Sequence, residues 1–296
     1  MRNNIINKLF LGALTVSFIS CTSQYMDINS NPYQPGSLAD DDYALGSAMS
    51  NLAGCVVSSD VNTAQFTDCL LGGPCGGYFA DSKSAWAFTI SNFNPTDDWT
   101  RVFLKSDKVI PVLYSNLSTV KSVSEATNNP VPYAIAEIIK VVAMSRITDT
   151  YGPIPYSKIG ADGKITIPYD SQEDVYNKFF EELNQAIEIL TENSGSALVA
   201  TADYVYSGNV AKWIKFANSL KLRLAIRVAY ANKTLAQEMA ESAVKHEFGV
   251  IESNADNAKW NYFGTIPNPL YTAVRYNEET SGGDSHVAAD IVCYMN

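Results

Sequence analysis

Histidine is scarce in this chain, and positive charge is in the minority. The 296 residues include 2 histidines, which leaves little scope for a histidine-rich metal site or a Ser-His-Asp triad. Lys and Arg number 21 against 31 Asp and Glu, for a formal net charge of −10. Such a chain repels phosphate backbones and anionic lipid headgroups, so we predict no nucleic-acid partner.

Long apolar runs are missing after residue 20. In residues 1–20, Arg2 and Lys8 precede the apolar run Leu9–Ile19, which is short for a membrane span, and this pattern is typical of a signal peptide. Small and apolar residues then precede Cys21, as in a bacterial lipobox, although Phe18 stands where leucine is usual. We therefore predict that Cys21 is lipidated and becomes the mature N-terminus. An ordinary cleaved signal peptide is the alternative.

Four cysteines remain after Cys21, and the spacing between them does not match that of a zinc ligand set. Cys69 and Cys75 flank a glycine-containing segment. A disulfide between them is one interpretation for an exported protein, and small buried thiols are the other. We predict neither a metal nor a cofactor.

Helical periodicity dominates the rest of the chain. Its strongest example is the apolar stripe Val175, Phe179, Leu183, Ile187 and Leu190, which follows a capping box at 171–174. Further helices are predicted within 37–52, from 96 through 113, and over 130–147, 209–230 and 232–245. Strand patterns are limited to 164–167 and 258–263. The predicted fold is mostly α, built of tetratricopeptide-like helix pairs with long irregular loops.

Four sequence stretches, taken in their order and spacing, carry a family resemblance. They are DINSNP (27–32), DTYGPIPY (149–156), PYDSQEDVY (168–176) and YSGNVAKW (206–213), the last continuing through residue 225, with NPLY (268–271) downstream. Together they resemble the SusD-like (SusD/RagB) family of outer-membrane nutrient-binding lipoproteins from Bacteroidetes. We accordingly divide the chain into a signal peptide (1–20), an extended segment (21–36) and a SusD-like helical domain (37–296).

The resemblance implies a lipid-anchored, non-enzymatic protein of the outer membrane, exposed at the cell surface. Members of this family sit on a SusC-type TonB-dependent transporter and pass captured oligosaccharide to it, while some relatives capture peptides instead. Family members are longer, so we expect the helical domain to be incomplete at its C-terminal side. Helical spacing places Trp213 in the core, and we expect Arg223 and Arg227, on the same helix, to pair with acids across a helix interface.

Aromatic side chains in irregular segments are the candidate ligand platforms, because sugar rings present apolar CH faces and rims of hydroxyls. The chain holds 17 Tyr, 12 Phe and 4 Trp, and two loop regions combine them with polar groups. The candidate ligand-binding residues are Trp86, Tyr78, Phe79, Asp81, Asn92, Phe93, Tyr262, Phe263, Arg275 and Tyr276. The alternative is that these side chains pack the loops down or contact the transporter.

Two other classes of function are alternatives to binding. An inverting glycoside hydrolase needs two facing carboxylates, and the adjacent pairs are Asp97/Asp98, Glu181/Glu182 and Glu278/Glu279. Adjacent residues on a helix diverge by about 100°, which argues against the first two pairs. A purely structural surface lipoprotein is the third class, and it predicts no saturable ligand.

Overall fold

The computed structural model describes residues 42–57, 60–81, 109–160, 166–196, 198, 200–260, 268–276 and 285–295. The α-helices are α1 (Asp42–Gly54), α2 (Val61–Ala64), α3 (Gly73–Cys75), α4 (Val109–Ala126), α5 (Val131–Tyr151), α6 (Gln172–Glu192), α7 (Val210–Arg227), α8 (Lys233–Val244) and α9 (Ala289–Met295). Gln65–Gly72 and Tyr271–Tyr276 are π-helical, Ala200–Ala202 and Asn254–Asp256 are 3-10 turns, and the strands are β1 (Phe79–Asp81) and β2 (Ser285–Val287).

The long helices pack in chain order. Helix α1 contacts α4, α4 contacts α5, α5 contacts α6, α6 contacts α7, and α7 contacts α8. Short connections, such as residues 127–130 between α4 and α5, make neighbours antiparallel. Stacked antiparallel pairs of this kind confirm the predicted mostly α fold.

Helix α5 is the centre of this stack. Besides α4 and α6 it contacts α1 and α7, and its residues are buried around most of its circumference, including Ile135, Ile138, Met144 and Ile147. A helix that is apolar all round is expected at the centre of a core, and α5 occupies that place.

Helix α6 follows the sequence prediction closely. Its stripe from Val175 to Leu190 is buried, and it begins at the predicted capping box. The Ser171 hydroxyl accepts a hydrogen bond from the Asp174 N–H at 3.1 Å, which satisfies one of the unpaired amides of the first turn.

Helix α7 is held at its start by a buried carboxylate. Asn209 caps the helix, and Trp213, one turn in, is buried as predicted. The Trp213 Nε1–H donates to Asp203 at 2.8 Å, and the same carboxylate accepts from the N–H groups of Tyr206 and Gly208. Asp203 thereby ties the loop before α7 to the core.

Two sequence predictions fail in this part of the fold. Residues 166–167 and 258–260, the described parts of the two predicted strands, are irregular because no neighbouring strand pairs with them. Helix α7 ends at Arg227 rather than at Tyr230, since the chain turns over 228–231.

The two interpretations of the Cys69–Cys75 pair are separated by the structure. No disulfide joins them. Cys69 is buried on the π-helix Gln65–Gly72, as the thiol interpretation predicts, whereas Cys75 is exposed and contradicts it. The disulfide interpretation is wrong here because a continuous helical segment separates the two residues.

Candidate functional site

Tyr78 and Phe79, both predicted from the sequence, lie at a glycine-rich bend after α3. A Cβ on Gly73 would stand 2.3 Å from Phe79 Cδ2, and one on Gly76 would stand 2.8 Å from Tyr78 Cδ2. Glycine is therefore required at both positions for the two rings to fold back over the helix end. Phe79 is half-buried against this bend, while Tyr78 remains 59% exposed.

Strand β1 then pairs with a strand from the far end of the chain. It is antiparallel to β2, with Phe79 opposite Val287 and Asp81 opposite Ser285. The Ala288 N–H donates to the Tyr78 carbonyl at 3.0 Å, which fixes the backbone beneath the Tyr78 ring. Phe79 and Asp81 were predicted on a loop and are on a strand instead. Periodicity over three residues is too short to reveal it.

The second predicted region is represented by the π-helix Tyr271–Tyr276. It packs on α2 and on Gln65–Gly72, and the latter also contacts β1. Arg275 is exposed on this element, and Tyr271, which the sequence marked only as part of a family motif, is 53% exposed. The structure thus places parts of both predicted regions around one helical segment.

The other candidates lie outside what the structure describes. Trp86, Asn92, Phe93, Tyr262 and Phe263 fall in the undescribed segments. Asp81 and Tyr276 are placed by their backbone only. Their roles stay predictions, as does the lipidation of Cys21.

A first groove, not predicted from the sequence, lies between the ends of α5 and α7 and the starts of α6 and α8. We call it the Arg227 groove; its volume is about 640 Å³, and its walls include Asp149, Gln172, Tyr176, Asn177, Arg227 and Leu235. Arg227 of α7 forms an ion pair with Asp149 of α5 at 2.8 Å, which is the predicted pairing across a helix interface. Arg223, on the same helix as Arg227, is exposed.

The Tyr176 hydroxyl links this pair to α6. It donates to Asp149 at 2.6 Å and accepts from Arg227 Nε at 3.2 Å. Burial, together with the hydrogen bond to Asp149, raises the pKa of Tyr176 to about 12, so it stays a neutral donor. The arrangement joins three helices.

A second cavity lies between α4, α5, α6 and the loop after α5. We call it the Tyr133 pocket; it has a volume of about 380 Å³ and is lined by Tyr114, Tyr133, Tyr156, Glu137, Lys140 and Glu182, among others. The buried Lys140 ammonium lies 2.5 Å from Glu137 and 3.0 Å from Glu182. The Tyr156 hydroxyl donates to Glu182 from within the pocket wall.

Burial is the main cause of the shifted pKa values of the side chains that line this pocket. Desolvation raises the pKa of Glu182, and the ammonium of Lys140 partly offsets that rise. Burial and the two nearby carboxylates raise the pKa values of Tyr114 and Tyr133 as well, so both phenols remain protonated. The sequence offered no signal for this cluster, because its members come from helices that are distant in the chain.

The carboxylate pair on α6 does not have hydrolase geometry. Glu181 is exposed and forms an ion pair with Lys178 at 2.8 Å, whereas Glu182 turns inward to Lys140. The two side chains therefore point apart, as the helical period predicts. The pairs Asp97/Asp98 and Glu278/Glu279 lie outside the described residues.

Neither a metal cluster nor a membrane-spanning helix is found in the described part of the chain. No group of three or more His, Cys, Asp or Glu side chains there has the arrangement of a metal site. No described helix is both long enough and apolar enough to cross a bilayer.

A family model described as SusD-like, the Susd and RagB outer membrane lipoproteins, matches residues 27–296. The chain belongs to the SusD-like family. That assignment confirms the resemblance carried by the four sequence stretches. Among curated proteins no match is found.

Solved SusD homologues share this fold. A homologue from Bacteroides uniformis is 76% identical with a TM-score of 0.81, over 86% of this chain and 52% of its own. One from Bacteroides ovatus is 35% identical with a TM-score of 0.72, over 86% of this chain and 50% of its own. A chitin-binding homologue from Flavobacterium johnsoniae is 29% identical with a TM-score of 0.70, over 83% of this chain and 50% of its own. This SusD-like chain spans about half the length of the solved relatives it matches.

Proposed function

We propose that this SusD-like chain is a non-catalytic binding protein that captures oligosaccharide on a surface centred on Tyr78. The exposed ring of Tyr78 carries the proposal, because the glycine bend and the β1–β2 pairing hold it in one place without burying it. A fixed, accessible aromatic face suits the apolar CH face of a sugar. The chitin-binding homologue from Flavobacterium johnsoniae supports a glycan ligand.

The other predicted residues complete this surface in the proposal. Trp86 and Phe93 add aromatic faces, and Asn92 and Asp81 add partners for hydroxyl pairs. Arg275, with Tyr262, Phe263 and Tyr276, contributes from the second region. We propose further that lipidated Cys21 anchors the protein at the surface of the outer membrane, where a SusC-type TonB-dependent transporter receives the ligand.

Anchoring is tested on protein isolated from membranes. Mass spectrometry of its N-terminal peptide should find an acylated Cys21. A peptide that retains residues 1–20, or a Cys21 without lipid, contradicts the anchor.

Capture is tested by incubating the soluble mature chain with a mixed pool of chito-, xylo- and malto-oligosaccharides. Mass spectrometry of the filtrate should show selective depletion of intact oligomers. Shortened products would show hydrolysis and overturn the non-catalytic assignment. If the oligosaccharide pool is unchanged and a matched peptide pool is depleted, the protein is assigned to peptide capture. If neither pool is depleted, the result contradicts capture.

Tyr78→Ala should weaken binding of the depleted oligomer about tenfold, the loss expected for one aromatic platform. Tyr169→Ala is the matched control, because Tyr169 is also an exposed tyrosine but lies in the loop before α6. Isothermal titration measures both affinities, and thermal unfolding checks that both variants fold. Equal affinity for Tyr78→Ala and the wild type would remove Tyr78 from the site.

A further inference from the structure

The Arg227 groove has the size of a ligand site and lies away from the Tyr78 bend. Its volume of about 640 Å³ falls within the range of small-molecule pockets, roughly 300–1,000 Å³. Helices α6, α7 and α8, which form most of it, pack mainly on one another and on α5, whereas β1 packs on β2, on α3 and on Gln65–Gly72. The groove is therefore open to a ligand independently of the surface centred on Tyr78.

The polar wall of the groove is held in one arrangement. The Arg227 guanidinium lies 2.8 Å from the Asp149 carboxylate and donates to the Tyr176 hydroxyl at 3.2 Å, and that hydroxyl donates to Asp149 at 2.6 Å. A guanidinium has more N–H donors than these contacts use, and Arg227 is exposed, so the others remain for a ligand. Because the group is already fixed, binding costs little further ordering.

Two amide side chains add donors and acceptors to this wall. Asn177, on α6, is exposed and forms no hydrogen bond with the described part of the chain. Asn232 uses its Oδ1 to accept from the Leu235 N–H at 3.1 Å, which leaves its amide N–H groups for a ligand. Planar amides and guanidinium groups can bond pairs of neighbouring hydroxyls, which the rim of a sugar ring presents.

The groove carries little uncompensated charge. Arg227 and Asp149 compensate each other within their ion pair. Among the described side chains of the lining, the other charged group is Glu173, which is exposed in the first turn of α6. The slight negative balance disfavours an anionic ligand, and a cation gains little from a solvated carboxylate. A neutral ligand with many hydroxyls is the one that matches this wall.

An exposed tyrosine stands beside the same wall. Tyr230 lies in the turn over 228–231, between Val228 and Ala231, which both line the groove. The Val228 carbonyl accepts from the N–H groups of Ala231 and Asn232, at 3.0 and 2.8 Å, and these bonds fix the turn. The Tyr230 side chain is 105% exposed, so its ring packs on nothing in the described structure. The ring is therefore free to take the apolar CH face of a sugar.

We propose that the Arg227 groove binds a short, neutral oligosaccharide. One sugar ring stacks on Tyr230. The hydroxyls of the neighbouring units bond to Arg227, Asn177 and Asn232. This inference rests on the proposed glycan-binding function, and it gives the helical scaffold a carbohydrate site of its own.

The test is made in the Tyr78→Ala variant, so that the surface of the proposed function contributes less. Tyr230→Ala removes the aromatic platform, and Asn177→Trp fills the groove from an exposed position. The matched controls are Tyr294→Ala, at an exposed tyrosine on α9, and Gln185→Trp, at an exposed position on α6 outside the lining. Thermal unfolding checks that every variant folds.

Ligand-observed NMR titrations of these chains use N-acetylated chitotriose, xylotriose and maltotriose as neutral probes. Trigalacturonic acid is the anionic probe, and the peptide trialanine is the probe for a different class of ligand. We expect at least one neutral trisaccharide to bind, and Tyr230→Ala and Asn177→Trp each to weaken it by about tenfold or more. Both controls should leave its affinity unchanged, and trigalacturonic acid should bind more weakly.

No binding of any neutral trisaccharide, unchanged binding by both groove variants, or tighter binding of trigalacturonic acid or trialanine would each overturn the groove assignment. Titration of the wild type separates this inference from the proposed function. A trisaccharide that binds the wild type but not Tyr78→Ala leaves capture at the Tyr78 surface standing and removes the groove. Equal binding by the wild type and Tyr78→Ala, lost on adding Tyr230→Ala, removes Tyr78 from the site and keeps the groove.

Discussion

Lys140 is a buried charged residue at the contact between two central helices, α5 and α6. It is buried in α5, and its ammonium is shared by Glu137 on its own helix and Glu182 on α6. Removing one partner of a buried ionic group is costly because the charges left behind lose their compensation. The interaction therefore stabilises the contact between α5 and α6.

Lys140→Met should lower the free energy of unfolding by about 3 kcal/mol near neutral pH. Loss of the Lys140 ammonium should also make the free energy of unfolding depend more strongly on pH. Desolvation raises the pKa of Glu182 in the folded state above the ordinary value of 4.5, and Lys140 opposes that rise. A carboxyl with a raised folded pKa binds more protons folded than unfolded, so stability falls as pH increases from 4.5 through the folded pKa.

Without Lys140 the folded pKa of Glu182 rises further, and this fall should be larger and extend to higher pH. Urea unfolding at a series of pH values measures it. Lys121→Met, at an exposed position on α4, is the control and should change little. A Lys140→Met variant whose stability does not recover on acidification would contradict the assignment of the buried charge.

At the scale of elements, the turn after α5 is built on one glycine. Gly152 has φ +76°, a region that residues with L side chains rarely adopt. Its N–H donates a hydrogen bond to the Thr148 carbonyl at 2.8 Å and so caps the end of α5. The chain then bridges Ile154 to Asp170, whose carboxylate accepts from the N–H groups of Tyr156 and Ser157. This loop, part of the family motif at 149–156, orients Tyr156 toward Glu182.

Gly152→Ala should destabilise the protein by about 1–3 kcal/mol, through backbone strain alone. A Cβ at Gly152 would meet nothing within 4 Å, and the same holds at Gly195, which has no positive φ. Gly195→Ala is therefore the matched control and should be close to neutral. Chemical denaturation measures both variants. Equal effects at the two positions would show that the backbone conformation of Gly152 is not the cause.

At the scale of the molecule, the described structure consists of a large stack of packed helices and one short two-stranded sheet. Helices α4 to α7 bury side chains on several faces, whereas β1 and β2 are three residues each and form a two-stranded sheet. A two-stranded ribbon has little stability of its own. Exposed apolar side chains on and beside it, including Val287, Tyr294 and Met295, add few contacts.

We expect hydrogen exchange to separate these parts. Amides of β1, β2 and α9 should exchange well before those of α5 and α6, because opening the ribbon exposes little buried apolar surface. Peptide-resolved mass spectrometry of exchange measures the order. Equal protection of residues 285–295 and of α5 would contradict a weakly held ribbon.

The helices and the family follow from local patterns in the sequence. Helical periodicity and capping chemistry are patterns that extend over only one or two turns. They therefore reveal the stripe from Val175 to Leu190, the cap at Ser171 and the core position of Trp213. The family motifs carried the fold class as well. Tyr78, Phe79 and Arg275, predicted from the sequence as ligand residues, lie on or beside elements that contact Gln65–Gly72, and their role stays a prediction.

Which distant residues meet depends on how the helices pack in three dimensions. Strand β1 pairs with a strand near residue 287, and Lys140 on α5 selects Glu182 on α6 while Glu181 beside it faces solvent. Local sequence holds no record of such partners, because they are chosen by how the helices pack against one another. The same reason explains why the Tyr133 pocket and the Arg227 groove could not be read from the sequence.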